Sequence, residues 1–132
     1  ILIWKFSSQL FFENKRYFFG LGNEHTEHLL QEKYKTMENK KRAGWFLERG
    51  FNTHSQFVDI TLNYGLIGLI LFTNFFIALF YEQRKNIFFY NLIASLFIFT
   101  SLENVLNRQM GVYIIALIII ISTSFNKEAT NE

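Results

Sequence analysis

The sequence predicts an all-α membrane protein in which a charged helical loop is followed by three transmembrane helices. Three observations predict it. Hydrophobic residues make up 50% of the 132, with 17 Phe and no Pro. That apolar content is gathered in blocks rather than dispersed, as membrane spans require and a soluble core does not. The blocks at Phe57–Tyr81, Ile87–Leu102 and Gly111–Phe125 follow one another across short polar breaks.

The first block is long enough to cross a hydrocarbon core of ~30 Å. The second and third are marginal alone, and suffice if Asn86 and Glu103 sit at the interfaces. Either would also fit a buried helix of a soluble protein, but three in series favour the bilayer. The chain therefore divides into residues 1–53, an extracytoplasmic loop with amphipathic helices, and residues 54–132, a three-helix transmembrane segment with a short polar tail. The two form a single domain. The sequence opens ILIW, with Ile1 in place of Met, and is expected to be the C-terminal piece of a longer protein.

Composition excludes several functions. Without Cys this segment has no disulfide, thiolate metal site or Cys nucleophile. A net charge of +2, with the aromatics in apolar blocks, gives no nucleic-acid footprint.

Along the first 53 residues, Trp4, Phe11, Phe12 and Phe18 stand beside Lys5, Lys15 and Arg16. That mixture suits a segment lying on a bilayer surface or a short helix packed on the loop domain. Gly20-Leu21-Gly22-Asn23 marks a turn, without the strand–helix context of a phosphate-binding loop. Glu24–Arg42 reads as one helix whose narrow apolar stripe is Leu30, Tyr34 and Met37. Lys40-Lys41-Arg42 suit its C-terminal dipole, and Gly44 follows as its stop.

The stretch Asn52–Phe72 opens with Thr53-His54-Ser55-Gln56, which fits a capping box with Thr53 as N-cap. The helix it starts is polar at Gln56, Asp59 and Asn63, then apolar after Gly65. At 100° per residue His54, Thr61, Gly65 and Gly68 share a face, so a neighbouring helix is expected to approach over the two glycines. Arg84 and Lys85 mark the Glu82–Asn86 connection as cytoplasmic, which puts His54 on the outer side. The N-terminal loop's many cations oppose that trend, so either the topology is inverted or the loop keeps them for an anionic ligand.

These residues resemble the bacterial O-antigen ligase and O-antigen polymerase superfamily. The family pattern is His, then Asn, Ser or Gln, nine residues, Gly, two residues, Gly. Here it reads His54-Ser55, Gln56 to Tyr64, then Gly65-Leu66-Ile67-Gly68. Ile3-Trp4 and Gly20-Leu21-Gly22 are similar to the family's "IW" and "GxG" landmarks. Glu103-Asn104-Val105-Leu106-Asn107-Arg108-Gln109-Met110-Gly111 is similar to the "E..L.RQ.G" stretch of Bacteroidetes relatives. Ser55 stands where Asn is more usual, and the arginine often found ahead of "IW" would fall before Ile1, so this piece alone is expected to be inactive.

The resemblance implies transfer of a glycan from an undecaprenyl diphosphate carrier to a sugar hydroxyl, on lipid A-core or on another glycan. It implies a multi-pass protein of the bacterial inner membrane, with His54 facing the periplasm and no cofactor or metal. Because the leaving group is already good, the protein must align or deprotonate the acceptor and hold the diphosphate. His54 at the helix mouth suits the first task. Arg49 and Arg108 suit the second, since a guanidinium binds phosphate bidentately. Glu103, Ser55 and Asp59 complete the candidate substrate contacts. Other readings of the same residues are a Glu103–Arg108 ion pair, and hydrogen bonds from Asp59 and Asn63, one turn apart, to neighbouring helices. The alternatives for the whole protein are a non-enzymatic glycolipid transporter or flippase, and a metal-dependent hydrolase using His25, His28 and His54.

Overall fold

The computed structural model describes residues 2–50 and 53–130, with side chains as far as Ser124. Ile1, Phe51, Asn52, Asn131 and Glu132 lie outside the described residues; they include the first residue of the Asn52–Phe72 stretch and the end of the polar tail. The described chain is all-α, with no strand among the described residues. Its six helices are α1 Leu2–Asn14, α2 Asn23–Lys35, α3 Lys40–Arg49, α4 Gln56–Glu82, α5 Ile87–Leu102 and α6 Gln109–Thr130.

The charge-rich segment is two helices, not one. Asn39 is the reason: its Oδ1 accepts the Arg42 N–H at 3.0 Å and starts a new helix at Lys40. Lys40, Lys41 and Arg42 therefore open α3 rather than close α2, and Gly44 lies inside α3. The left-handed stop is Gly50. The apolar stripe is in the core as its spacing implies. Leu30, Tyr34 and Met37 pack with Leu10, Leu21, Ala43, Phe46 and Leu62, so α1, α2, α3 and the first half of α4 share one cluster.

A second cluster joins Phe76 and Leu79 of α4, Ile93 and Leu96 of α5, Val105, and Ile115 of α6. Phe57, Phe72, Phe76 and Phe97 interlock edge to face, with centroids 5.0 to 5.3 Å apart. Such pairs each add about 0.5–1.5 kcal/mol beyond burial. Asn86 caps α5, accepting from the Phe88 and Phe89 amides. Besides Ile115, α6 is held by the Gln83 side chain, which donates to Ser122 O at 3.3 Å.

Helix α4 belongs to both clusters and is broken between them. Gly65 has φ 67° and ψ −160°, far from helical values. The break frees carbonyls before it and amides after it, and the loop after α1 takes all four. Leu21 and Gly22 donate to Leu62 O and Asn63 O at 2.7 and 3.0 Å. Leu66 and Ile67 donate to Tyr17 O and Phe18 O at 2.7 and 3.3 Å. Gly65 thus packs on a loop backbone and not on a neighbouring helix, contrary to the expectation from helical periodicity. Gly68 also faces inward on its own helix: an added Cβ would meet the Tyr64 Cβ across the break.

Helix α4 is long and apolar enough to cross a membrane, while α5 and Gln109–Ser124 are shorter apolar helices. Ile70, Leu71, Ile77, Ile98, Leu117 and Ile120 are among many large apolar side chains these helices leave exposed.

Candidate functional site

The mouth of α4 is built by burying residues on either side of His54. Thr53 and Ser55 are buried, whereas the His54 side chain is 38% exposed. A left-handed backbone at His54, φ 49°, turns its side chain out between them, a conformation uncommon outside glycine. Thr53 is not the N-cap that the capping pattern suggests. The helix begins at Gln56 with Ser55 as N-cap, and His54 precedes the first turn.

Thr53 is instead tied to distant parts of the chain. Its carbonyl accepts the indole N–H of Trp4 at 3.0 Å, and its hydroxyl accepts from Asn104 Nδ2 at 2.9 Å. The one hydroxyl proton has Ser55 O at 3.2 Å and Asp59 Oδ1 at 3.3 Å within reach. Gln56 is fixed likewise, its Oε1 accepting the Leu106 N–H at 2.8 Å. The connection between α5 and α6 is thereby fastened over the mouth of α4. Glu103 is carried with it, Oε2 lying 3.9 Å from His54 Nδ1. That separation is too long for a hydrogen bond and within ion-pair reach if the ring is protonated.

Below this, Asp59 gathers a second polar group. Its Oδ2 accepts from Asn63 Nδ2 at 3.1 Å and from Asn107 Nδ2 at 3.3 Å, and Asn63 Nδ2 also lies 3.4 Å from Asn23 Oδ1. These side chains line a cavity of about 420 Å³ that continues along α4 past Gly68 to Leu71 and Phe72. The Asp59–Asn63 bond is made within one helix; the bonds to Asn107 and Asn23 join different segments.

The remaining candidates fall apart from one another. Ser55 is buried and makes no side-chain cap bond; its carbonyl accepts the Asp59 N–H at 2.9 Å. Arg108 is exposed and shares a separate cavity of about 380 Å³ with Glu103, Asn104 and Gly111. It makes no ion pair with Glu103 among the described residues, because the Glu103 carboxylate faces His54. Arg49 ends α3 with its guanidinium 5.0 Å from the centre of the Trp45 ring. His28 lies 3.9 Å from Glu32 on the exposed face of α2. No three metal-binding side chains come together among the described residues.

Sequence reasoning placed Thr53 at the mouth only as a cap, and missed Asn104 and Asn107 there. Asn104 and Asn107 stand inside the quoted stretch before the last helix, one helical turn apart in number. Nothing in that spacing says that their partners lie on α4.

Fold and site together define a chain that is all-α among the described residues, with one helix there of membrane-spanning length and a buried polar mouth at that helix's start. No protein-family model, curated protein or solved structure matches it.

Proposed function

We propose that the chain belongs to an integral-membrane glycosyltransferase of the O-antigen ligase and polymerase type. It would move a glycan from undecaprenyl diphosphate to a sugar hydroxyl of lipid A-core or of another glycan, at the outer face of the bacterial inner membrane. Helices α4, α5 and α6 would each span the membrane, their exposed aliphatic side chains meeting lipid or further helices.

One observation carries this reading: three of the stretches on which the resemblance rests all contact the first half of α4 and the residues just before it, which hold the fourth. Trp4 bonds Thr53, the Gly20-Leu21-Gly22 turn closes the break at Gly65, and the stretch from Glu103 places its carboxylate on His54.

In the proposed reaction the acceptor hydroxyl attacks the anomeric carbon, and the bond to the diphosphate oxygen breaks as the new glycosidic bond forms. The acceptor proton goes to the His54 ring, at the nitrogen turned away from Glu103. Glu103 positions the ring and balances the charge it acquires. Arg108 holds the departing diphosphate, helped by Arg49 if the complete protein brings it close.

The test uses the complete protein in nanodiscs with purified lipid-linked donor and acceptor. The His54→Ala variant should bind donor and lose transfer. Unchanged transfer would remove His54 from the chemistry. Lipid translocation without transfer in the unaltered protein would favour the transporter alternative instead.

A further inference from the structure

The aromatic residues at the end of α1 and in the loop after it are held in place and yet face outward. Phe11 packs edge to face on Phe12 and Tyr17, at 5.6 and 5.4 Å, and the Tyr17 hydroxyl reaches back to Phe12 O at 3.4 Å. The Gly20 N–H closes the turn on Arg16 O at 2.9 Å. Phe12, Phe18 and Phe19 nevertheless stay 65%, 63% and 81% exposed. An apolar patch left open on a fixed loop marks a contact surface. Lys15 and Arg16, also exposed, surround a recess of about 370 Å³ with Tyr17, Phe18, Phe19 and Gly20. Glu13, the nearest carboxylate in sequence, is bound to Lys33 at 2.7 Å. The loop also has a fixed place along α4. Tyr17 O and Phe18 O accept the Leu66 and Ile67 amides, so it lies against the first turn after the break. From there α4 runs about 23 Å, at 1.5 Å per residue, to Tyr81, whose ring centre lies 4.0 Å from the Arg84 guanidinium. Aromatic and cationic side chains thus stand at both ends of a stretch on the scale of a ~30 Å hydrocarbon core.

We infer that the loop of residues 15–19 is a membrane anchor that seats an anionic phospholipid. Phe12, Phe18 and Phe19 enter the boundary between headgroups and acyl chains, and Lys15 and Arg16 hold the lipid phosphate at the recess beside them. Arg16 offers two parallel N–H donors to phosphate oxygens, and Lys15 adds a second positive charge. Exposed rings beside cations suit a lipid and not a soluble anion, because a free phosphate leaves the rings in water. The same loop seals the break at Gly65, so the anchor sets the level at which the bilayer meets that break. The inference rests on the part of the proposed function that makes α4 a span, and not on the transfer chemistry.

The experiment is photo-cross-linking of the complete protein in nanodiscs of phosphatidylcholine with a minority of phosphatidylglycerol. Benzoylphenylalanine replaces Phe19 or, as a reference, Ile77, which is exposed further along α4. Position 19 should give lipid adducts in which phosphatidylglycerol exceeds its share of the mixture. Position 77 should give lipid adducts without that excess. The Lys15→Gln/Arg16→Gln pair changes only exposed side chains, so it should fold and keep the adducts. It should lower the excess by up to about fivefold for each cation lost. Adducts from position 19 to another segment of the protein, or lipid adducts there that ignore the headgroup, overturn the inference. Lipid adducts at neither position refute the span, and the anchor with it. The expected adducts in a protein that transfers no glycan support the anchor and refute only the transferase reading.

Discussion

Gly20 and Gly65 lie back to back. A Cβ on Gly20 would strike the Asn63 carbonyl and the Gly65 nitrogen, and one on Gly65 would strike the Phe18 carbonyl and Tyr17 O. Both glycines have positive φ, 70° and 67°. The loop after α1 can thus seal the break in α4 only while neither residue carries a side chain. The break redirects α4 between the polar mouth and its apolar half.

It follows that Gly20→Ala and Gly65→Ala should each destabilise the complete protein by about 3 kcal/mol or more, combining a clash with strain. Gly50→Ala is the reference. Gly50 has φ 55° and open space around it, so only the left-handed penalty of about 1–2 kcal/mol applies. Thermal unfolding in nanodiscs should rank Gly50→Ala as the mildest of the three. Three equal shifts would mean that the close approach carries no energy.

Gly68 gives a different outcome from the one helical periodicity suggests. Its new Cβ would meet Tyr64 Cβ and come 3.2 Å from Ile60 Cγ2, all on α4 itself. Gly68→Ala should therefore disturb the angle of the break rather than separate two helices. Tyr64→Gly removes the obstructing Cβ, and the double variant should recover part of the stability that Gly68→Ala loses. A double-mutant cycle with no coupling would exclude this local conflict.

The helices were largely legible because apolar blocks and their spacing are local properties. Ile87–Leu102 is the same in sequence and structure, and Leu30, Tyr34 and Met37 show their face through periodicity alone. The mouth was legible only in part. His54, Glu103 and Asp59 stand out by residue type, but the bonds of Thr53 to Trp4 and Asn104 join segments that no local pattern connects. Asn39 shows the limit in the other direction. As a cap it outweighs a run of charge that reads as a helix end, because one side-chain bond to a free amide fixes where a helix starts.

The Thr53 hydroxyl should matter through what it holds. Thr53→Val keeps the shape and removes the donor and acceptor shared by Asn104 and Asp59, leaving buried polar atoms unpaired at about 1–3 kcal/mol. Thr53→Ser restores the hydroxyl and should recover most of that loss. Thermal unfolding compared across the three proteins checks it. Equal stability of the Val and Ser variants would show that the network adds nothing.

The last prediction concerns the His54–Glu103 pair. If His54 takes the acceptor proton, His54→Ala should lower kcat by ~10²–10⁴-fold with donor binding nearly unchanged. Glu103 acts through the ring, 3.9 Å away, so Glu103→Gln should lower kcat less. It should also change the pH profile of transfer, which loss of a merely structural contact would leave in place. Combined, the two substitutions should cost scarcely more than His54→Ala alone, since Glu103 has nothing left to position. Arg108→Ala should instead weaken donor binding, with Lys restoring only part of it because an ammonium lacks the bidentate fork. Reconstituted transfer with separate donor-binding measurements distinguishes the two phenotypes. Additive losses from His54→Ala and Glu103→Gln would mean that the pair does not act as a unit.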